Sequence, residues 1–147
     1  MMERVKEIVE ILASENIAVD HEKKRRIYFK VEPGAIRELS RKLSNARLRL
    51  STISAIENLR SFELLYHFSD DQTGYYFCPR VYSSLENPEV PSISDTISGA
   101  SWIEREIHDL FGVNFPGHPD LKPLLKEDNE DIPEQPLRVK RREDHAD

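Results

Sequence analysis

The run from Ser101 to Leu125, SWIEREIHDLFGVNFPGHPDLKPLL, decides how the chain divides. Its first half carries the marks of a capped helix. Ser101 with Glu104 three positions later is a capping-box pair, and Gly112 stands where a helix ends in a left-handed residue. The second half cannot continue the helix, because Pro116, Pro119 and Pro123 recur every three or four residues. Proline lacks an amide hydrogen and clashes with the preceding turn. The spacing predicts a rigid helix running into an extended arm that bears Phe115, Leu121, Leu124 and Leu125.

At about 100° per residue, Ile103, Ile107, Leu110 and Phe111 form one apolar stripe expected to dock on the core. Glu104 and Glu106 fall on its two borders. Trp102, Arg105 and Asp109 are expected to point away, with Arg105 and Asp109 at i,i+4 spacing. A tryptophan beside a charged pair on the back of a helix fits a surface covered by another protein, since Trp and Arg are frequent interface anchors. The alternative is a solvated ion pair, with Trp102 folded onto a loop of its own chain.

Upstream, Val5, Ile8, Val9 and Leu12 repeat at helical spacing and predict an amphipathic helix from Met2 to about Ser14. Ile17–Val19 and Ile27–Val31 read as two strand pieces of a hairpin whose tip is the charged group from Asp20 to Arg26. The basic residues of that tip read as a solvated turn, with nucleic acid or anionic lipid as the alternative. Pro33 suits the first turn of a second helix buried through Ile36, Leu39 and Leu43. Leu48, Leu50, Thr52, Ser54 and Ile56 are expected to share one face of a strand. Phe62, Leu64, Tyr66 and Phe68 alternate with Glu63, Leu65 and His67 more cleanly. Asp70 to Gly74 is a five-residue turn with solvated carboxylates, returning into a strand from Tyr75 to Tyr82. Pro79 cannot donate to a ladder, so that strand is expected at an edge or with a bulge. The loop from Ser83 to Gly99 then delivers the chain to the helix that follows Ser101, and no internal repeat is present.

The order is α-β-β-α-β-β-β-α, an α+β fold with helices on a mainly antiparallel sheet and an extended Pro-rich C-terminal arm. The expected division is an α+β body over 1–114 and a partner-binding arm over 115–147. Five of the nine prolines fall in that arm (116, 119, 123, 133 and 136). Lys126 to Glu134 is acidic, whereas Arg138, Lys140, Arg141 and Arg142 are basic. Such a segment buries too little apolar surface to order itself. Thirty extended residues reach on the order of 100 Å, enough to cross a neighbouring subunit with Leu121, Leu124, Leu125 and Leu137 as anchors. Packing back onto its own domain is the alternative.

At 147 residues the chain suits one core, with 38% hydrophobic and 33% charged residues. Its net charge of −6 argues against general phosphate-backbone binding. One cysteine leaves no disulfide framework and fits a reducing compartment. The N-terminus, MMERVKEIVE, is charged from its third residue, unlike a signal peptide. No apolar run approaches the ~20 residues of a membrane helix, so association with a membrane is expected only through partners, on its cytoplasmic side.

His108, Asp109, His118 and Asp120 are the candidates for a metal-dependent enzyme. Their spacing is not a compact ligand pattern, and His108 lies well rotated from Asp109 on the helix. His118, between Gly117 and Pro119, reads rather as a hydrogen-bonding residue that fixes the turn launching the arm. Cys78 alone cannot hold an iron–sulfur cluster, which needs several thiolates. No glycine-rich phosphate loop, nucleotide fingerprint or serine elbow is present. The expectation is no catalytic residue, no metal and no cofactor.

Glu104-Arg105-Glu106, Asp109-Leu110-Phe111, Gly117-His118-Pro119-Asp120-Leu121, then Lys122, Leu124 and Leu125, with Pro136-Leu137-Arg138 beyond, resemble a known signature. It is that of the 30-kDa subunit of NADH:quinone oxidoreductase, respiratory complex I, with relatives in membrane-bound energy-converting nickel–iron hydrogenases. The resemblance implies a cofactor-free structural subunit of the peripheral arm. It would dock on the large hydrogenase-like (49-kDa type) subunit beside the iron–sulfur subunits. It also implies that Glu104, Arg105, Glu106, Asp109, Phe111, His118, Asp120 and Leu121 build the contact, with Pro136, Leu137 and Arg138 as a later docking point. Arg138 suits a bidentate bond to a carboxylate. Complex I members usually continue with lysine, aspartate and tyrosine, where this chain has Val139-Lys140-Arg141-Arg142. That departure leaves a hydrogenase-type or other compact relative open.

Overall fold

The computed structural model describes residues 3–121. Helix α1 (Glu3–Ser14) buries Val5, Ile8 and Leu12 at the spacing that the sequence marks. A hairpin follows, β1 (His21–Lys23) and β2 (Arg26–Lys30). A single 3-10 turn at Pro33–Ala35 opens α2 (Ile36–Asn45), with proline in its first turn as expected. Strands β3 (Arg49–Glu57), β4 (Ser61–Asp70) and β5 (Tyr75–Ser84) precede α3 (Ala100–Phe111). The order α-β-β-α-β-β-β-α therefore holds, and the fold is α+β.

The five strands form one sheet in the order β1-β2-β5-β4-β3. Every neighbouring pair is antiparallel except β2 with β5, which run parallel with Arg26 opposite Tyr76 and Lys30 opposite Arg80. One side of the sheet, carrying Ile27, Phe29, Phe62, Leu64, Tyr66, Phe68, Phe77 and Val81, joins the buried residues of all three helices in a single core. The other side carries Arg26, Tyr28, Glu63, Leu65, His67, Arg80 and Tyr82, each only partly buried.

Three strand-level expectations fail, each for a local reason. The hairpin does not use Ile17–Val19. It forms inside the charged group itself, where Lys24 and Arg25 both take positive φ, 48° and 65°. That is the backbone of a two-residue I′-type turn, usually signalled by Asn or Gly. On β3 the core-facing residues are Ile53 and Ala55, opposite Tyr66 and Leu64, while Ile56 is 41% exposed. The register slips between Leu50 and Thr52, and one extra residue there reverses which side chains face the core. Pro79 sits on neither an edge nor a bulge, because β5 is the central strand. The ladder to β4 breaks off after Leu65–Arg80 and resumes at Phe68–Phe77 in unchanged register. The missing amide is thus accommodated by leaving two residue pairs unbridged.

The turn from Asp70 to Gly74 closes β4 onto β5 through Gly74 N–H donating to the Asp70 carbonyl at 2.8 Å, with Gly74 at φ 76°. Asp70, expected to be solvated, is 1% exposed. Thr73 Oγ1 donates to its carboxylate at 2.7 Å, and Arg4 Nε lies 3.4 Å from it. The turn is thereby tied to α1.

Candidate functional site

Helix α3 ends at Gly112, which takes φ 80° and donates its amide to the His108 carbonyl. The start differs from expectation. The N-cap is Gly99, two residues before Ser101; the helix opens at Ala100 without a side-chain cap, and no capping box forms. Glu104 turns inward instead. Ser92 Oγ donates to its Oε1 at 2.6 Å and the Ile93 amide donates to Oε2 at 2.9 Å. A glutamate read from periodicity as a border residue is therefore wholly buried. It fastens the loop before α3 to the helix.

The segment after the helix lies against that same loop. Asn114 pairs in parallel with Glu89, the Val90 amide donates to the Asn114 carbonyl at 2.9 Å, and the Ser92 amide donates to the Pro116 carbonyl at 2.8 Å. Val113 and Phe115 flank this run and are buried in the core. Phe115 to His118 then forms a turn closed by the His118 amide on the Phe115 carbonyl at 3.0 Å. Pro116 occupies its second position and Gly117 its third, with φ 89°, the pattern of a type II turn. Gly117 is required there because a side chain disfavours that φ.

His118 closes the arrangement. Its Nδ1 accepts the Asp120 amide at 2.9 Å, so the ring hydrogen sits on Nε2, 3.0 Å from the Ser101 carbonyl and 3.3 Å from Ser101 Oγ. Glu104 Oε1 lies 4.0 Å from the same nitrogen. Ser101, His118 and Glu104 thus come together, but not as a nucleophilic triad. In a triad one ring nitrogen accepts the serine proton while the other N–H donates to the acid. Here the accepting nitrogen faces a backbone amide, and both the imidazole and the carboxylate are fully enclosed. The expected role of His118 in fixing the turn agrees with these bonds.

Burial is the main cause that raises the Glu104 carboxyl above its usual range, against the hydrogen bonds from Ser92 and Ile93 and the nearby His118. Complete burial, and after it the charge of Glu104, pushes the Tyr66 phenol far above its ordinary value. The Tyr66 hydroxyl has no hydrogen-bond partner among the described residues. Sequence reasoning missed Tyr66, Ser92 and Ile93. A tyrosine at a core-facing strand position reads as packing, and the loop carried no signal beyond Pro88 and Pro91, which bracket the extended run.

The remaining candidates separate. Trp102 is 65% exposed, with the Arg105 guanidinium 5.4 Å from its ring centre. Glu106 is exposed too. Asp109, expected to point outward, is 1% exposed, so the covered arc of the helix is wider than the apolar stripe. Phe111 is half-buried and meets Phe62 edge-on at 6.0 Å. Asp120 is exposed, and Leu121 packs partly against the core. Leu124, Leu125, Leu137 and Arg138 lie outside the described residues. His108, Asp109, His118 and Asp120 do not gather: no group of three or more potential metal ligands exists among the described residues. His108 Nδ1–H instead donates to the Val113 carbonyl at 2.9 Å. Cys78 is buried in β5, and burial pushes its thiol up to about 11, away from thiolate chemistry.

Set beside known proteins, residues 29–144 match the family described as respiratory-chain NADH dehydrogenase, 30-kDa subunit. The chain is 44% identical over 68 residues to NADH-quinone oxidoreductase subunit 5 of Thermus thermophilus, covering 46% of this chain and 32% of the relative. It is 42% identical over 69 residues to NADH-ubiquinone oxidoreductase subunit 9 of Acanthamoeba castellanii, covering 47% and 34%. The matched part thus spans about a third of the length of these curated relatives. Among solved structures, a chain of the membrane-bound sulfane sulfur reductase MBS, an archaeal respiratory membrane complex, superposes with a TM-score of 0.77 at 26% identity. That match covers 87% of this chain and 80% of the other. A trypsin-resistant fragment of Nqo5 shares the fold, with a TM-score of 0.64 at 23% identity over 80% of this chain and 99% of the fragment.

Proposed function

The chain belongs to the 30-kDa subunit family of respiratory-chain NADH dehydrogenase, and from that premise we propose that it is a structural subunit of a complex I-like oxidoreductase. In this reading it is non-catalytic, binds no cofactor, and docks on the large hydrogenase-like subunit of the peripheral arm. One relative is named as a subunit of NADH-quinone oxidoreductase, a second as a subunit of NADH-ubiquinone oxidoreductase, and a third belongs to an archaeal respiratory membrane complex. The superposition on the MBS chain, over 87% of this chain at 26% identity, supports an assembly of that kind. No helix among the described residues is long and apolar enough to cross a membrane. Attachment to the membrane surface would therefore run through partner subunits.

The observation that carries the proposal is the outer side of α3. The inward groups of the signature are spent on the chain's own loop and turn, whereas Trp102 and Arg105 stack on each other at the surface. An exposed tryptophan with a guanidinium over it is a natural anchor for a neighbouring protein. Further along the arm, Leu124, Leu125 and Arg138 would extend the same contact. The test is co-expression with the large subunit and affinity purification through that subunit. The wild-type chain is expected to co-purify, and Trp102→Ala with Arg105→Ala to release it while the melting temperature holds. Undiminished co-purification of that double variant would overturn this docking side.

A further inference from the structure

The side of the sheet that no helix covers among the described residues carries a second feature. Across β2 and β5, three cations lie over three tyrosine rings. Arg26 stands 4.6 Å from the centre of Tyr76, Arg80 5.2 Å from that of Tyr28, and Lys30 5.8 Å from that of Tyr82. The parallel register puts all six on one side, because Arg26 pairs with Tyr76 and Lys30 with Arg80. The neighbouring groups add little counter-charge. Glu63 pairs with Tyr82 and is the one carboxylate on this side of β4. His67 is held 3.0 Å from Ser54 Oγ, and burial, helped by Arg26, keeps its imidazole below the usual range and so uncharged near neutrality. A chain of net charge −6 has thus gathered positive charge on one half of one sheet face.

We infer that this face is a second protein-docking surface, and that its occupant is an acidic segment of a neighbouring subunit. The inference rests on the reading that the chain works inside an assembly, but uses a different surface from the outer side of α3. Purely parallel sheets are covered on both faces, and among the described residues the three helices all pack on the opposite face of β2 and β5. Tyrosine and arginine are the residue types that anchor interfaces. A guanidinium held over a ring can still offer N–H groups to carboxylates, and the ring restricts where the fork sits before the partner arrives. The same stacking argues against single-stranded nucleic acid, whose bases need open ring faces. The patch is also short, about five residues along each strand or roughly 17 Å, and the rest of the molecule repels a long polyanion.

Carbodiimide coupling in the assembled complex tests this, because it joins a lysine amine to a carboxylate only where the two already touch. Peptide mapping is expected to find Lys30 linked to an Asp or Glu of a neighbouring subunit. Arg26→Gln with Arg80→Gln is expected to cut that product roughly tenfold. Lys30 coupled only within its own chain, or to nothing, overturns the inference. The isolated chain, titrated with hexaglutamate, oligo(dT) and phosphatidylglycerol vesicles, gives a separate answer. Amide shifts confined to β2 and β5 with hexaglutamate, lost in the double variant, support it. Preference for oligo(dT) or vesicles at those strands, or no binding of hexaglutamate, overturns it. Failure of the wild-type chain to co-purify with the large subunit would instead sink the functional reading, leaving the titration to decide this one.

Discussion

The two sides of α3 use the same kinds of residue to opposite ends. On the inner side Glu104 is completely enclosed, accepts two hydrogen bonds, and holds the preceding loop and the following turn together with His118. On the outer side Trp102 and Arg105 stack on each other at the surface. Charge within a sequence signature therefore does not mark the surface by itself. The inner charge is an internal fastening, and the outer aromatic is the part that the proposed docking would use.

The largest expected effect breaks the inner side. Phe115 is 1% exposed, and its neighbours Asn114 and Pro116 both accept amide hydrogens from the loop before α3. Phe115→Ala should cost about 3–5 kcal/mol of stability by cavity formation, measured by urea unfolding of the full chain. A change below about 1 kcal/mol would mean that the segment after α3 contributes little to the body.

Next comes Glu104. Glu104→Ala orphans the Ile93 amide in the interior and should cost about 1–3 kcal/mol, whereas Glu104→Gln keeps an acceptor there. The pH dependence separates the two ideas of charge. Because the folded carboxyl titrates above its ordinary value, the folded chain holds its proton over a window in which the unfolded chain has lost it. Stability from this group is then fully present below the ordinary carboxylate range and is lost as pH rises through the raised value. Glu104→Gln lacks that titration, so its stability relative to wild type should improve as pH rises. Urea midpoints of both proteins across that window check the sign. A constant difference would show that the buried carboxyl has no displaced titration.

Tyr66 sharpens the same comparison from the core. Its hydroxyl is enclosed beside Glu104 without a hydrogen-bond partner among the described residues. Tyr66→Phe removes that unsatisfied group and the penalty it carries, and should stabilise by about 1 kcal/mol. A loss of stability in thermal melts would reveal a partner for the hydroxyl.

How much of this could be read from the residues follows from what periodicity can encode. Gly112 as the helix stop, Pro33 in the first turn of α2 and the alternation along β4 were legible, because each depends on one residue's backbone or on parity. The inward turn of Glu104 was not, since a helical wheel assigns a carboxylate to a border and cannot see Ser92 waiting across a loop. The bulge between Leu50 and Thr52 was equally hidden. It swaps Ser54 and Ile56 for Ile53 and Ala55 on the core side without altering composition. Lys24 and Arg25 at positive φ form a turn that neither residue advertises. His118 was legible as the residue that fixes the turn, but not its bonds to Ser101 and Asp120, seventeen and two positions away.

The smallest effect on stability is expected where the effect on assembly is greatest. Trp102 is 65% exposed and stacks with Arg105. An exposed pair of this kind contributes about 0.5–1 kcal/mol at most, and surface substitutions usually stay within about 0.5 kcal/mol. Trp102→Ala should therefore leave the unfolding midpoint of the isolated chain nearly in place. If the outer side of α3 meets the large subunit, the same substitution should weaken co-purification by roughly tenfold or more, as loss of an aromatic anchor does. Destabilisation comparable to Phe115→Ala would make Trp102 part of the body, and the contrast between the two sides of the helix would disappear.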